Sequence, residues 1–227
     1  MKRSLKYILI FLAGIVGLTL VVLFAGVFQV SKCPSGANAP GIPVGSRVLF
    51  SKYVKPKRLD FICFKGQLWQ GQPDGLMVFR LCGLPGDVVT MVNSRLLVNG
   101  SLIDNGLKLK HMYSIARIKY DQLQNQLNVD DEDVFNSSPD SIYANLEDDQ
   151  VRVFDVQGSI VLSNARAFPN ETGIQPDSAW TIDNFGPVQV PENAYFVLGD
   201  NRHSSADSRF RGFINKAAFK GTVLRIF

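Results

Sequence analysis

Three short stretches of this chain concentrate the residue types that hydrolytic chemistry uses. They are Pro34-Ser35-Gly36-Ala37-Asn38-Ala39-Pro40, Arg80-Leu81-Cys82-Gly83-Leu84-Pro85-Gly86-Asp87, and Gly199-Asp200-Asn201-Arg202-His203-Ser204-Ser205-Ala206-Asp207-Ser208-Arg209. A serine hydroxyl becomes a useful nucleophile only when an adjacent base takes its proton, and the reaction also needs donors aimed at the developing oxyanion. A lysine serves as that base when burial and neighbours bring it far below its solution pKa of ~10.4. Here Ser35 and Ser205 are the hydroxyls to consider, but no lysine or histidine occurs between Gly66 and Leu107. Arg80 holds its proton and cannot act as a base. Histidine is the side chain whose unperturbed pKa lies near neutrality, but the polar, Gly/Asn-rich segment around His203 reads as an exposed loop. The other histidine, His111, is far away in sequence, and no Cys/His spacing suggests a metal. No cofactor is implied.

In this order, behind one N-terminal apolar segment, the three stretches resemble those of the membrane-bound type I signal peptidases, serine endopeptidases of the S26 type that use a Ser/Lys pair. The resemblance puts the family nucleophile at Ala37 and the family base at Phe79, so the chain looks like a degenerate member that lacks both. Asn38 stands at a Met position and Gly41 at a Thr position. Ser35 corresponds to the family's oxyanion-hole hydroxyl, although a turn serine beside Gly36 explains it as well. Ser205 matches the serine that orients the lysine, and Asp207 and Arg209 match a pair that braces the site. The remaining motif residues are Gly83, Pro85, Gly86 and Asp87, then Gly199, Asp200, Asn201 and Arg202. Arg58, Asp60, Ile62 and Phe64 match a further structural segment, with Leu59 in place of Gly. Arg80 neighbours Phe79 and should therefore point to the opposite face of its strand. The resemblance implies a pseudopeptidase that binds extended segments of exported preproteins, a retained cleft taking them by strand addition. The alternative is an active signal peptidase that cleaves after small-x-small sites with an unrecognised dyad.

The elements that must position these residues can be read along the chain. Its 227 residues suggest one folded unit with room for an insertion. Residues 1–6 carry Lys2, Arg3 and Lys6 and are expected to be a cytoplasmic N-terminus by the positive-inside rule. Residues 7–30 are uncharged and apolar, which predicts a transmembrane anchor. A single-pass protein of the cell membrane, with most of the chain on the extracytoplasmic side, is the resulting expectation. The formal charge of +4 shows no basic stripe interleaved with aromatics, so nucleic acid is not an expected partner.

Short β-branched and aromatic runs punctuated by Gly and Pro follow, with a hairpin signal at Asn99-Gly100. The expected fold class is mainly β: an antiparallel core over 31–101 and 181–227, with an α/β or loop insertion over 102–180. Within that insertion Tyr113 to Leu127 reads as a helix. The acidic clusters Asp130-Asp131-Glu132-Asp133 and Glu147-Asp148-Asp149 read as solvated loops or helix starts. The three cysteines cannot all pair within one chain. Cys63 and Cys82 read as buried thiols, and Cys33 as an exposed one.

Overall fold

A computed structural model describes residues 2–24, 26–67, 73–127, 129–136, 138–153, 155–156, 160–168, 174 and 177–227, without the side chains of 2, 3, 18–24 and 136. Helix α1 (Lys2–Phe24) leads to β1 (Gln29–Lys32), β2 (Arg47–Ser51), β3 (Phe61–Gly66), β4 (Gly75–Gly83), β5 (Val88–Val92), β6 (Arg95–Val98) and β7 (Ser101–Leu102). The middle of the chain forms β8 (Lys110–Ala116), α2 (Arg117–Leu127), β9 (Val134–Asn136), β10 (Ser141–Glu147) and α3 (Asp148–Val153). It ends with β11 (Phe185–Gln189), β12 (Ala194–Leu198), α4 (Ser208–Arg211), β13 (Ile214–Asn215) and β14 (Phe219–Ile226).

Among the described residues these strands make a seven-stranded sheet in the order β1-β2-β14-β3-β4-β12-β13, a four-stranded sheet β11-β5-β6-β7 and a three-stranded sheet β8-β10-β9. The strand pairs are antiparallel, so the mainly β antiparallel architecture holds. Alternation along β3 explains how the large sheet is covered on both faces. Phe61 and Cys63 join Cys33, Ile42, Val48 and Phe50 on one face. Ile62 and Phe64 join Phe79, Leu81, Val197 and Ile214 on the other. The four-stranded sheet packs onto the end of β12, where Phe196 and Leu198 meet Val89, Met91, Leu96 and Phe185.

The membrane reading is corrected. Among the described residues no helix is long and apolar enough to cross a membrane. The expected 7–30 span divides in the fold: α1 ends at Phe24, and Val30 belongs to β1, where it pairs with Leu49. The anchor, the single-pass cell-membrane placement and the assignment of the two ends to opposite sides of a bilayer fall with it.

The region from 110 to 156 has its own small core, in which Tyr113, Ile115, Leu127, Ala144, Leu146 and Val156 are buried together. The helix expected from Tyr113 begins only at Arg117, because Tyr113 and Ile115 alternate inward as strand residues of β8. Cys33 is buried, not exposed as expected, because it packs with Phe50, Phe61 and Cys63. All three cysteines are free and buried. Burial raises each thiol pKa, that of Cys82 to about 12.

Candidate functional site

The site is built where the turn 34–38, the first half of β4 and the loop 199–206 converge on one cleft of about 580 Å³. Ser35, Ala37, Asn38, Val78, Phe79 and Ser205 all line it. Residues separated by up to 170 positions in sequence are thus brought together by the large sheet. The turn is a short 3-10 segment, Gly36–Asn38, closed by the Ala39 amide donating to the Gly36 carbonyl (3.0 Å). It is tied to the loop by the Asn201 amide, which donates to the Ala37 carbonyl (3.1 Å). Gly199 is required for this approach, since a Cβ there would overlap the Ser205 hydroxyl and the Ala37 carbonyl. Gly41 is required in the same way, because Asp200 and Arg80 close over its Cα.

Apolar packing fills the centre. Phe79 is buried with Ile62, Phe64, Leu81, Val197 and Ile214, and Ala37 packs against this cluster. The Phe79 and Phe64 rings lie 6.1 Å apart. Arg80, one residue on, points the other way. Its guanidinium grips Asp200 in a bidentate pair (2.6 and 2.5 Å), donates to the Leu59 carbonyl (2.7 Å) and lies over the Phe61 ring. It is a structural cation, positioned by the strand alternation that the sequence required.

Ser205 and Ser35 differ in setting. Ser35 is exposed at the rim and makes no capping hydrogen bond to the turn it precedes. The Ser205 hydroxyl is buried and has no hydrogen-bond partner. An unpaired buried hydroxyl costs roughly 1–3 kcal/mol. Ser205→Ala is therefore expected to leave stability unchanged or raise it by up to about 1 kcal/mol. Urea titration measures this, and a loss above about 2 kcal/mol would mean that the hydroxyl has a partner.

Buried ion pairs brace the loop that carries Ser205. Asp207 binds Arg209 through two contacts of 2.9 Å, accepts from the Gly199 amide (3.0 Å) and is fully buried with its partner. Arg202 forks onto Asp104 (2.9 and 2.7 Å), and both side chains are almost wholly buried. Arg58 clamps Asp87, which also accepts from the Leu84 amide and from Asn99 and so closes the Gly83–Asp87 turn. The motif residues Gly83, Pro85 and Gly86 belong to this turn and do not line the cleft.

His203 is the clearest site correction. Its ring is buried, because Nε2 faces Asp183 (3.1 Å) and Nδ1 accepts from the Met112 amide (3.1 Å). With both nitrogens engaged, it fixes β8 against the loop and is not the exposed loop histidine the sequence suggested. Nor are the acidic clusters wholly solvated. Asp133 is buried against Lys110 (2.7 Å), Asn145 and Asn201. Asp148 holds His111, Arg95 and Tyr113. No local signal marks these residues, whose partners lie at distances up to 91 positions along the chain. Among the described residues no group of three or more His, Cys, Asp or Glu is placed to hold a metal ion.

These pairs set the response to acid. Burial alone would raise the Asp87, Asp104 and Asp183 carboxyls, but hydrogen bonds and nearby cations outweigh it. All three are lowered, Asp183 to about 2 through His203 and the Ser163 amide. Asp200, pushed up mainly by burial, works in the opposite direction. A depressed carboxyl stabilises the fold above its unfolded pKa of ~3.9 and loses that contribution as pH falls through its folded value. Stability is therefore expected to be lost progressively from about pH 4 towards pH 2. Urea midpoints measured across that range check it, and a flat profile down to pH 2 would contradict it.

A short turn, a facing strand residue and a loop held by buried Asp–Arg pairs, all carried on antiparallel sheets, form one β-rich scaffold around the cleft. The chain belongs to the signal peptidase family, peptidase S26, whose family model matches it over residues 3–227. It is 25% identical to signal peptidase I of Buchnera aphidicola over 242 residues, covering 92% of this chain and 71% of that protein. It is 26% identical to signal peptidase I S of Bacillus subtilis, over 66% of this chain and 50% of that protein. A short segment of 45 residues, 19% of this chain and 24% of the relative, is 53% identical to signal peptidase I of Bacillus licheniformis. A solved signal peptidase I from Enterococcus faecalis aligns at 22% identity and a TM-score of 0.36, over 76% of this chain and 98% of that one.

Proposed function

We propose that this chain is a non-cleaving member of its family that holds extended segments of exported proteins in the cleft. One observation supports the reading: Ala37 and Phe79, at the positions that the resemblance assigns to the nucleophile and its base, meet in the cleft as a methyl group and a buried ring in an apolar cluster. A methyl group has no lone pair with which to attack a carbonyl. Two nearby nitrogen-bearing side chains are engaged elsewhere, while Lys32 and Ser35 also line the cleft. His203 has both ring nitrogens bound, and Arg80 is committed to Asp200. The Ser205 hydroxyl is buried without a base beside it. What persists is a cleft with apolar walls beside an open strand edge, which suits an extended peptide.

The test is incubation of the purified full-length chain with a preprotein bearing a small-x-small site, read by mass spectrometry, beside a binding measurement with the same segment as a peptide. No cleavage with saturable binding is the expected result. Cleavage after the small-x-small site would overturn the reading, and loss of it in Ser35→Ala or Ser205→Ala would identify the nucleophile.

A further inference from the structure

One side chain in the cleft touches the strand edge on which a peptide would add. In an antiparallel pair, alternate residues send both main-chain groups to opposite edges of the strand. β4 pairs with β3 on one side, with Cys63 opposite Val78. On its other side β12 pairs at Arg80, Leu81 and Gly83, and among the described residues no strand lies beside β4 before Arg80. The Val78 carbonyl points to that open edge, because it accepts a hydrogen bond of 2.7 Å from Asn38 Nδ2.

We infer that Asn38 is a built-in cap on the β4 edge: its amide occupies the Val78 carbonyl, so a peptide strand pairs there only by displacing it. The inference rests on the peptide-holding role proposed above and adds its regulation. Two features support a dedicated contact. Asn38 is buried, and its Oδ1 has no hydrogen-bond partner, so the donation to Val78 is what fixes the orientation of the amide. Its backbone is also held firmly. The Ile42 amide donates to the Asn38 carbonyl (2.8 Å), and the adjoining Ala37 carbonyl is held by Asn201. An apolar side chain at this position would leave the Val78 carbonyl free for an incoming N–H.

The experiment uses the full-length chain, its Asn38→Leu and Asn38→Asp variants, and a fluorescein-labelled, Ala/Val-rich decapeptide read by anisotropy. The same decapeptide N-methylated at alternate residues, which cannot donate from those positions, is the control. Both variants remove the donor while keeping the number and branching of the side-chain heavy atoms. Asn38→Leu is expected to bind the unmodified peptide roughly three- to tenfold more tightly, the worth of one freed hydrogen bond, and to show no gain with the N-methylated peptide. In the unsubstituted chain, the through-hydrogen-bond NMR coupling between Asn38 Nδ2 and the Val78 carbonyl carbon should disappear as peptide is added. Equal affinity of Asn38→Leu and the parent, or a coupling that persists at saturation, overturns the cap and leaves the peptide-holding role standing. Absence of binding by the parent and by both folded variants overturns the two together.

Discussion

A chain carrying Ala37→Ser and Phe79→Lys together is expected to cleave a preprotein, while either substitution alone stays at background. The physical case starts from the pocket around position 79. Ile62, Phe64, Leu81, Val197 and Ile214 surround it, and an ammonium placed there loses its hydration. Desolvation disfavours the charged form and lowers a lysine well below its usual ~10.4. The buried Ser205 hydroxyl, which has no partner now, would gain one. A serine at 37 would then sit on the turn held by Asn201, in the same cleft as the new amine.

Members of such a unit act together: in subtilisin, losing one costs about as much as losing all, on the order of 10⁶ in rate. The double variant should therefore exceed the parent by at least about 10³-fold in initial rate, with rates that rise with pH as the lysine loses its proton. It should also be less stable than the parent, since each unit of depression in the lysine pKa corresponds to about 1.4 kcal/mol. Mass-spectrometric kinetics against pH, with circular dichroism to verify folding, provide the check. Activity in Ala37→Ser alone, or silence of a folded double variant, would show that the rest of the site differs from what its geometry suggests.

The largest loss of stability is expected from Asp104→Asn. Asp104 and Arg202 form a bidentate pair with almost no solvent on either side chain. Removing one charge leaves the other buried without compensation, which costs about 3–5 kcal/mol. Since whole domains are stable by only about 5–15 kcal/mol, much of the fold's margin would go. Replacing both partners by apolar residues of similar size should cost far less than the single change, because no orphaned charge remains. Denaturant titration of the single and paired variants separates the two cases, and a loss under about 1 kcal/mol for Asp104→Asn would mean that water reaches the pair.

Much of the scaffold was legible in order along the chain. The β-branched and aromatic run Phe61 to Phe64 sufficed to predict a strand, and Asn99-Gly100 sufficed to predict a hairpin, which β6 and β7 form. Alternation also placed Arg80 opposite Phe79. Periodicity failed at Tyr113, where Ile115 and Ile118 suggest a helix but tertiary pairing with β10 makes the first half a strand. It failed again at the N-terminus, where composition alone ran 7–30 together as one span while the fold divides it between α1 and β1.

The sequence by itself determined which chemical groups stand at the decisive positions, because the covalent identity of a side chain needs no fold to read. It showed that Ala37 and Phe79 bring a methyl and a phenyl group to the positions where the family resemblance expects a hydroxyl and an amine, and that Gly199 to Arg209 is a polar segment with both signs of charge. Only the tertiary structure decided what those groups touch. His203 became a buried bridge, Asp133 and Asp104 became ion-pair partners of Lys110 and Arg202, Ser205 lost its hydrogen bond, and Asn38 closed on Val78. Burial and hydrogen bonding are properties of the assembled interior, where chain segments dozens of residues apart meet, and no local pattern encodes which donor will face which acceptor.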